Sequence, residues 1–288
     1  MKTVLILTDF SDNATNAAKS AATIVDKLKA NVIVYNSYFE SPILTAYAAG
    51  PWVIDDVGYR RDESIVQLDK LGIQLKHELY HRSPKGHQPK IELKYGEGSI
   101  GNSIAVLAKS NAVDFIVMGG SANSAFNHLL FGSDTMDVID HADCPVIVVP
   151  PTTELKSLKK VTLATAFEPE DINAINYMIS LAKALDFQLV IAHINVLGKH
   201  EDAIKQRVVR GYVENLGHSH IIFREVSGKN VIKSLNKMCD ENNSDMLALV
   251  HYPHGLMSTL FKKCTTEAAL SNQPIPLFVL PSEMESGL

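Results

Sequence analysis

No apolar run in the 288-residue sequence approaches the ~20 residues that a membrane-spanning helix needs, so a helical span is not expected. The first apolar stretch, Val4-Leu5-Ile6-Leu7, stops at Asp9 with no small-residue cleavage site after it, and reads as a strand rather than a signal peptide. Cysteine is scarce: Cys144, Cys239 and Cys264 are odd in number and scattered, with neither a disulfide framework nor a C-x-x-C spacing. A reducing cytoplasm is the expected setting. A basic surplus is also missing, with 13 Lys+Arg against 17 Asp+Glu in residues 1–150 and 14 against 15 in the remainder. Sequence-independent nucleic-acid binding neutralises many phosphates with Lys and Arg, so nucleic acid is not the expected partner.

What the sequence does contain is globular: 46% hydrophobic and 20% charged residues, at a length suited to two domains. An internal repeat divides it. Val4-Leu5-Ile6-Leu7-Thr8-Asp9-Phe10 aligns with Val161-Thr162-Leu163-Ala164-Thr165-Ala166-Phe167, and Val32-Ile33-Val34-Tyr35-Asn36 aligns with Leu189-Val190-Ile191-Ala192-His193. Cys144 to Pro150 aligns in turn with Ile275 to Pro281. The offset falls because the first copy has extra residues around Ser41 to Pro89, where the second needs about Leu197 to Ser219. Helical patterns are expected in both inserts, on Ile65, Leu68, Leu71, Ile73, Leu75 and Leu79 and on Ile204, Val208, Val209, Tyr212 and Leu216. The boundaries that follow are a first domain over 1–150, a short polar linker over 151–160 and a second domain over 161–288.

In each copy short β-branched runs alternate with amphipathic helices, the pattern of a doubly wound α/β fold with a parallel sheet covered on both faces. First-copy strands are expected near 3–8, 31–36, 91–95, 114–118 and 145–149. Ser11, Asp12 and Asn13 offer a helix N-cap, followed by a small-residue face of Ala14, Ala17, Ala18, Ala21, Ala22 and Val25. The two five-stranded sheets are expected to pack as an internal pseudo-dimer, with Val146 to Val149 beside Leu277 to Leu280, because both are apolar edges that would otherwise invite aggregation.

Ligands of open parallel sheets bind beyond the carboxyl ends of strands where the winding reverses. That rule selects Thr8-Asp9 and Met118-Gly119-Gly120-Ser121-Ala122. The segment from Gly119 to Ala122, then nine residues, then Gly132-Ser133 at a helix start, combines glycines that admit close approach with free amides and a helix dipole that favour an anion. The same residues also suit a tight strand-to-helix turn capped by Ser133. Asp134, in the first turn of that helix, is a helix-start acid that would repel a nearby phosphate, and Ala122 places a methyl group where a second glycine would be expected.

Three other signals are set aside. Gly96-Glu97-Gly98-Ser99-Ile100-Gly101 matches G-x-G-x-x-G but follows the third strand, whereas a dinucleotide fingerprint belongs to the first. His218, His220, His251 and His254 lack the further ligands of a metal centre. Asn123 stands where a G-x-S-x-G nucleophile elbow needs glycine.

Taken together, Thr8-Asp9-Phe10-Ser11 before an alanine-spaced helix, the Gly119 loop with Gly132-Ser133, and Cys144 to Pro150 as a last strand resemble a tandem universal stress protein over essentially the whole chain. The resemblance implies ATP, or another adenine nucleotide, in the first copy: Asp9 on the adenosine, Ser37 lining the adenine pocket, Met118 and Gly119 flanking ribose and phosphates, Gly132 and Ser133 holding the phosphates. Mg²⁺ would enter only with ATP. The second copy replaces Asp9 by Ala166, Gly119 by Val250, Ala122 by Pro253, Gly132 by Lys263 and Ser133 by Cys264, and is expected to carry no phosphate loop. Three readings stand at this point: nucleotide-dependent interaction with an unidentified protein partner, slow ATP hydrolysis at the same loop, and a nucleotide-free partner-binding protein. Association of two chains is compatible with each.

Overall fold

The structure is a computed structural model that describes residues 1–38, 53–122, 129–130, 133–151, 153–165, 171–196, 203–215, 221–228, 231–251 and 275–282. Its first part runs β1 (Thr3–Leu7), α1 (Asp12–Leu28), β2 (Asn31–Tyr38), α2 (Val53–Arg82), β3 (Ile91–Glu97), α3 (Ile100–Ser110), β4 (Phe115–Gly119), β5 (Ser121–Ala122), β6 (Leu129–Leu130), α4 (Ser133–His141) and β7 (Val146–Val149). The second runs β8 (Lys160–Thr165), α5 (Asp171–Leu185), β9 (Gln188–Val196), α6 (Ala203–Asn215), β10 (Ile221–Gly228), α7 (Val231–Asn242), β11 (Met246–His251) and β12 (Leu277–Pro281).

These strands make one ten-stranded sheet, β10-β9-β8-β11-β12-β7-β4-β1-β2-β3. Each five-stranded half is parallel and has the same internal order, and the two join at a single antiparallel pair, β7 with β12. In that pair Ile147 lies opposite Phe278, which are themselves equivalent positions of the repeat, so a pseudo-two-fold axis passes between them. The apolar edges of both halves are covered by each other.

Pairing register reproduces the repeat strand by strand. Val4 pairs with Val32 and Phe115, as Val161 pairs with Leu189 and Met246. Helices α1, α2, α5 and α6 cover one face of the sheet, and α3, α4 and α7 cover the other. The alanine face of α1 is buried as its spacing predicts, and Ser11 caps the helix by accepting from the Ala14 amide at 3.2 Å.

Three expectations need correction. In α2 the buried line is Leu68, Leu71, Leu75 and Leu79, while Ile73 is 71% exposed, because two residues past Leu71 the helix has turned by about 200°. In α6 Val209 and Val213 are buried and Val208 is 57% exposed for the same reason; Leu216 lies outside the described residues. The segment between the halves is not merely polar, since Leu155 and Leu158 are buried in the core shared by both.

That segment is tied down by one stripe of α1. The Asn16 amide donates to the Pro150 and Thr153 carbonyls at 3.2 and 2.7 Å, Ser20 accepts from the Leu155 amide at 3.0 Å, and the Thr23 hydroxyl donates to the Leu155 carbonyl at 2.6 Å. Spacing of four and three residues places all three on one helix face. Farther along, Lys27 donates to the Leu185 carbonyl at the end of α5. Thr23→Val keeps the shape but leaves a buried carbonyl without its donor, and also removes the acceptor for Arg82 at 3.1 Å. The expected loss is about 1–3 kcal/mol of unfolding free energy by urea titration. An unchanged midpoint would show that the strap contributes nothing.

Candidate functional site

Within the first half β1 lies between β2 and β4, and the chain winds outward from this pair in opposite directions, to β3 on one side and β7 on the other. A crevice therefore opens beyond the carboxyl ends of β1 and β4. Ile6 pairs with Val117, so Thr8-Asp9 and Met118-Gly119 leave the sheet side by side on strands about 4.8 Å apart.

The turn after β1 is built from side-chain caps. Thr8 is buried and its hydroxyl accepts from the Phe10 amide at 2.9 Å, holding Phe10 in the left-handed region at φ 62°. For an aromatic residue that conformation costs roughly 1–3 kcal/mol and persists only where the surroundings enforce it. Asp9 is exposed, and its Oδ1 accepts from both the amide and the hydroxyl of Ser11, at 3.0 and 2.6 Å. Among the described residues its Oδ2 makes no hydrogen bond, so one carboxylate oxygen faces solvent at the rim of the crevice.

Behind this turn stands a residue that the sequence reading missed. Buried Asn36 donates to the Thr8 carbonyl at 2.7 Å and accepts from the Ser64 hydroxyl of α2 at 2.7 Å. A polar residue at the end of an otherwise apolar strand was the available signal, but its partner lies in the insert and could not be paired with it from spacing. Asn36→Leu strands two buried polar groups. The expected cost is about 1–3 kcal/mol for each, read as a lower urea midpoint, and stability equal to the parent would exclude this bracing role.

Ser37, next along β2, donates to the Gly98 carbonyl at 2.6 Å and so links the β2 end to the loop after β3. Gly98 sits at φ 106°, a conformation that favours glycine. The G-x-G-x-x-G resemblance there has a local explanation. Asp137 of α4 accepts from the Ser99 hydroxyl at 3.0 Å and the Gly101 amide at 2.9 Å, so a carboxylate of the chain itself occupies the start of α3.

At the end of β4, Met118 is buried and Gly119 is required by sterics. A Cβ there would lie 2.8 Å from the Asn13 carbonyl carbon and oxygen and 3.0 Å from the Ala14 nitrogen, all backbone atoms of the first turn of α1. Instead of a single turn into the next helix, the chain forms an antiparallel ladder pairing Ser121 with Leu130 and Ala122 with Leu129. Ala122 lies in β5, an extended segment that any residue adopts, so glycine is not needed there on conformational grounds. Ser133 opens α4, and Asp134 is exposed in its first turn. Gly132 lies outside the described residues. The structure thus brings Thr8, Asp9, Met118 and Gly119 to one crevice, with Ser37 at the flanking end of β2.

The second half keeps the bracing and replaces the glycine at the strand end. Thr165 and His193 stand where Thr8 and Asn36 stand, and the His193 imidazole meets the Thr165 carbonyl at 2.9 Å while the Thr165 hydroxyl donates to buried Asp171. Buried Val250 replaces Gly119. The next residue, His251, lies 3.2 Å from Asp140 of α4, and burial holds its imidazole below the usual histidine range with Asp140 opposing. Ala166, Pro253, Lys263 and Cys264, and likewise His218, His220 and His254, lie outside the described residues. Among those described there is no cluster of three or more metal-ligating side chains, and no helix long and apolar enough to cross a membrane.

A family model described as the universal stress protein family matches residues 1–150. A universal stress protein of Methanocaldococcus jannaschii is 31% identical over 148 residues, covering 51% of this chain and 81% of its own. Among solved structures, a universal stress protein from Archaeoglobus fulgidus superposes with a TM-score of 0.72 at 20% identity, covering 97% of this chain and 98% of that one. A functionally unknown protein from Pseudomonas aeruginosa reaches 0.59 at 12% identity over 98% and 92% of the two chains. At such identities the structural likeness shows the fold alone.

Proposed function

Because the chain belongs to the universal stress protein family, we propose that its first half, residues 1–150, binds ATP or another adenine nucleotide at the carboxyl ends of β1 and β4. The protein then acts in a stress response through interactions that depend on nucleotide occupancy. In this reading residues 151–160 are a strap, and residues 161–288 form a domain without a phosphate loop whose task is to complete the sheet. The observation that carries the proposal is Gly119, whose missing side chain lets the first turn of α1 approach the end of β4 beside Asp9.

The residues fit an adenine nucleotide in kind. Asp9 offers a carboxylate oxygen to ribose hydroxyls, Ser37 offers a hydroxyl at the adenine side, Met118 and Gly119 flank the ribose and phosphates at the strand end, and the amides at Gly132 and Ser133 offer donors to phosphate. Ala122 is compatible with the loop, being extended. Asp134 tunes the site against excess negative charge at the start of α4. Mg²⁺, which neutralises phosphate charge when bound with ATP, would take most of its ligands from the phosphates and water.

Calorimetric titration of ATP into the whole chain, with Gly132→Lys beside it, tests this reading. The parent is expected to bind at one site, and the variant, which imitates the second copy, to lose binding while retaining its fold by circular dichroism. Equal affinity in both would remove the phosphates from this loop.

A further inference from the structure

Helix α2 has 30 residues where its counterpart α6 has 13, and its outward face carries three large apolar residues among the charged and polar ones. Val66, Ile73 and Tyr80 are 52%, 71% and 53% exposed. Their seven-residue spacing sets them in one line about 21 Å long at 1.5 Å per residue. Single exposed apolar side chains are ordinary on a protein surface, but three in register on one helix form a seam. The neighbouring edge of the sheet is protected differently: on β3, Glu92 pairs with Lys90 at 2.6 Å and with Lys94 at 3.5 Å, and such charged edges discourage strand addition.

We propose that this seam docks against the same seam of a second copy of the chain, the two α2 helices running antiparallel about a two-fold axis at Ile73. The charge pattern beside the seam is the reason for choosing a second copy over another partner. An antiparallel two-fold axis at Ile73 keeps each flank facing the same flank, and sets each residue near the one on its own flank that lies about as far, within a residue or two, on the other side. Ile73 then meets Ile73, and Val66 meets Tyr80. On one flank Asp69, four residues before the axis, faces Lys76, three after it. Each contact occurs twice by symmetry, so the apolar seam meets itself and two Asp69–Lys76 pairs of opposite charge flank the axis. Lys70 faces His77, whose Nε2 is already engaged with His81 at 3.0 Å.

Among the described residues Asp69 and Lys76 are engaged with no other side chain. Among the described residues the ion pairs of α2 are those of Arg82 with Glu78 and Glu154, on the side of the helix turned toward α1 and the strap. One helix pair covers less than the ~800 Å² per partner of a standard interface, so the dimer is weak and concentration-dependent. It involves neither the crevice nor the joint between the halves, and it does not rest on the nucleotide reading.

Analytical ultracentrifugation of the whole chain from about 1 µM to about 1 mM tests the proposal. The parent is expected to pass from monomer to dimer within that range. Ile73→Glu sets two carboxylates against each other on the axis and is expected to weaken the dimer by about 100-fold or more. Asp69→Lys alone sets two lysines against each other on each half of the axis and is expected to weaken it about tenfold. Combining Asp69→Lys with Lys76→Asp restores the opposite charges and is expected to return the dissociation constant to within about threefold of the parent. All these positions are exposed, so the fold is not at stake. A parent that stays monomeric throughout, a dimer indifferent to Ile73→Glu, or a charge swap that fails to rescue would each overturn the proposal.

Discussion

Replacing Gly119 with valine, the residue at the equivalent position of the second copy, is expected to destabilise the chain by about 1–3 kcal/mol and to reduce ATP affinity by about 100-fold or more. The reason is geometric. Any Cβ at 119 meets the Asn13 carbonyl at 2.8 Å and the Ala14 nitrogen at 3.0 Å, and these are backbone atoms that cannot swing aside as a flexible side chain would. Helix α1 would have to move. It lies close on the sheet through buried alanines at 14, 17, 18, 21 and 22, which leave no slack, and it carries the stripe that ties the strap. Its first turn also carries the Ser11 cap that positions Asp9. One substitution therefore disturbs both sides of the crevice. Urea titration and calorimetry on the same variant separate the two effects. Unchanged stability would mean that α1 does not approach β4 as described.

The second large effect is expected at the joint between the halves. Phe278 of β12 is fully buried opposite Ile147, with its ring centroid 6.1 Å from that of Phe115 in β4 and 6.5 Å from that of Tyr177 in α5. Phe115 and Tyr177 are themselves 6.4 Å apart, so three rings from the two halves form one cluster. Burial pushes the Tyr177 hydroxyl to ionise well above the usual tyrosine range, in keeping with this dry core. Phe278→Ala is expected to cost about 3–5 kcal/mol, the transfer loss plus the cavity it leaves. Because the cluster belongs to both halves, the whole chain is expected to unfold in one earlier transition. Two transitions, with only one displaced, would show that the halves are energetically independent.

Much of this architecture could be read from residues alone, because its determinants are local or repetitive. The offset between Val4 and Val161 survives as identical strand pairing, Ser11 caps the helix it was expected to cap, and the two apolar last strands cover each other. The switch point followed from strand order, and with it the meeting of Thr8-Asp9 and Met118-Gly119. What escaped depended on distant partners. Leu155 and Leu158 are isolated apolar residues in a polar stretch, and nothing nearby announces that α1 would draw them into a shared core. Asn36 needs Ser64 from the insert to make sense of its burial. The two-residue ladder β5–β6 is too short to carry any periodicity. A count of apolar residues alone groups Ile73 with the buried leucines, but the 3.6-residue turn sets it on the opposite side of α2, in the exposed seam.

The central claim is that one half of this molecule holds an adenine nucleotide and the other does not. Mass spectrometry of the supernatant after denaturing the purified protein in the presence of saturating ATP and removal of the excess counts the nucleotide directly. One adenine nucleotide per chain is the predicted result. None, or two per chain, would contradict it.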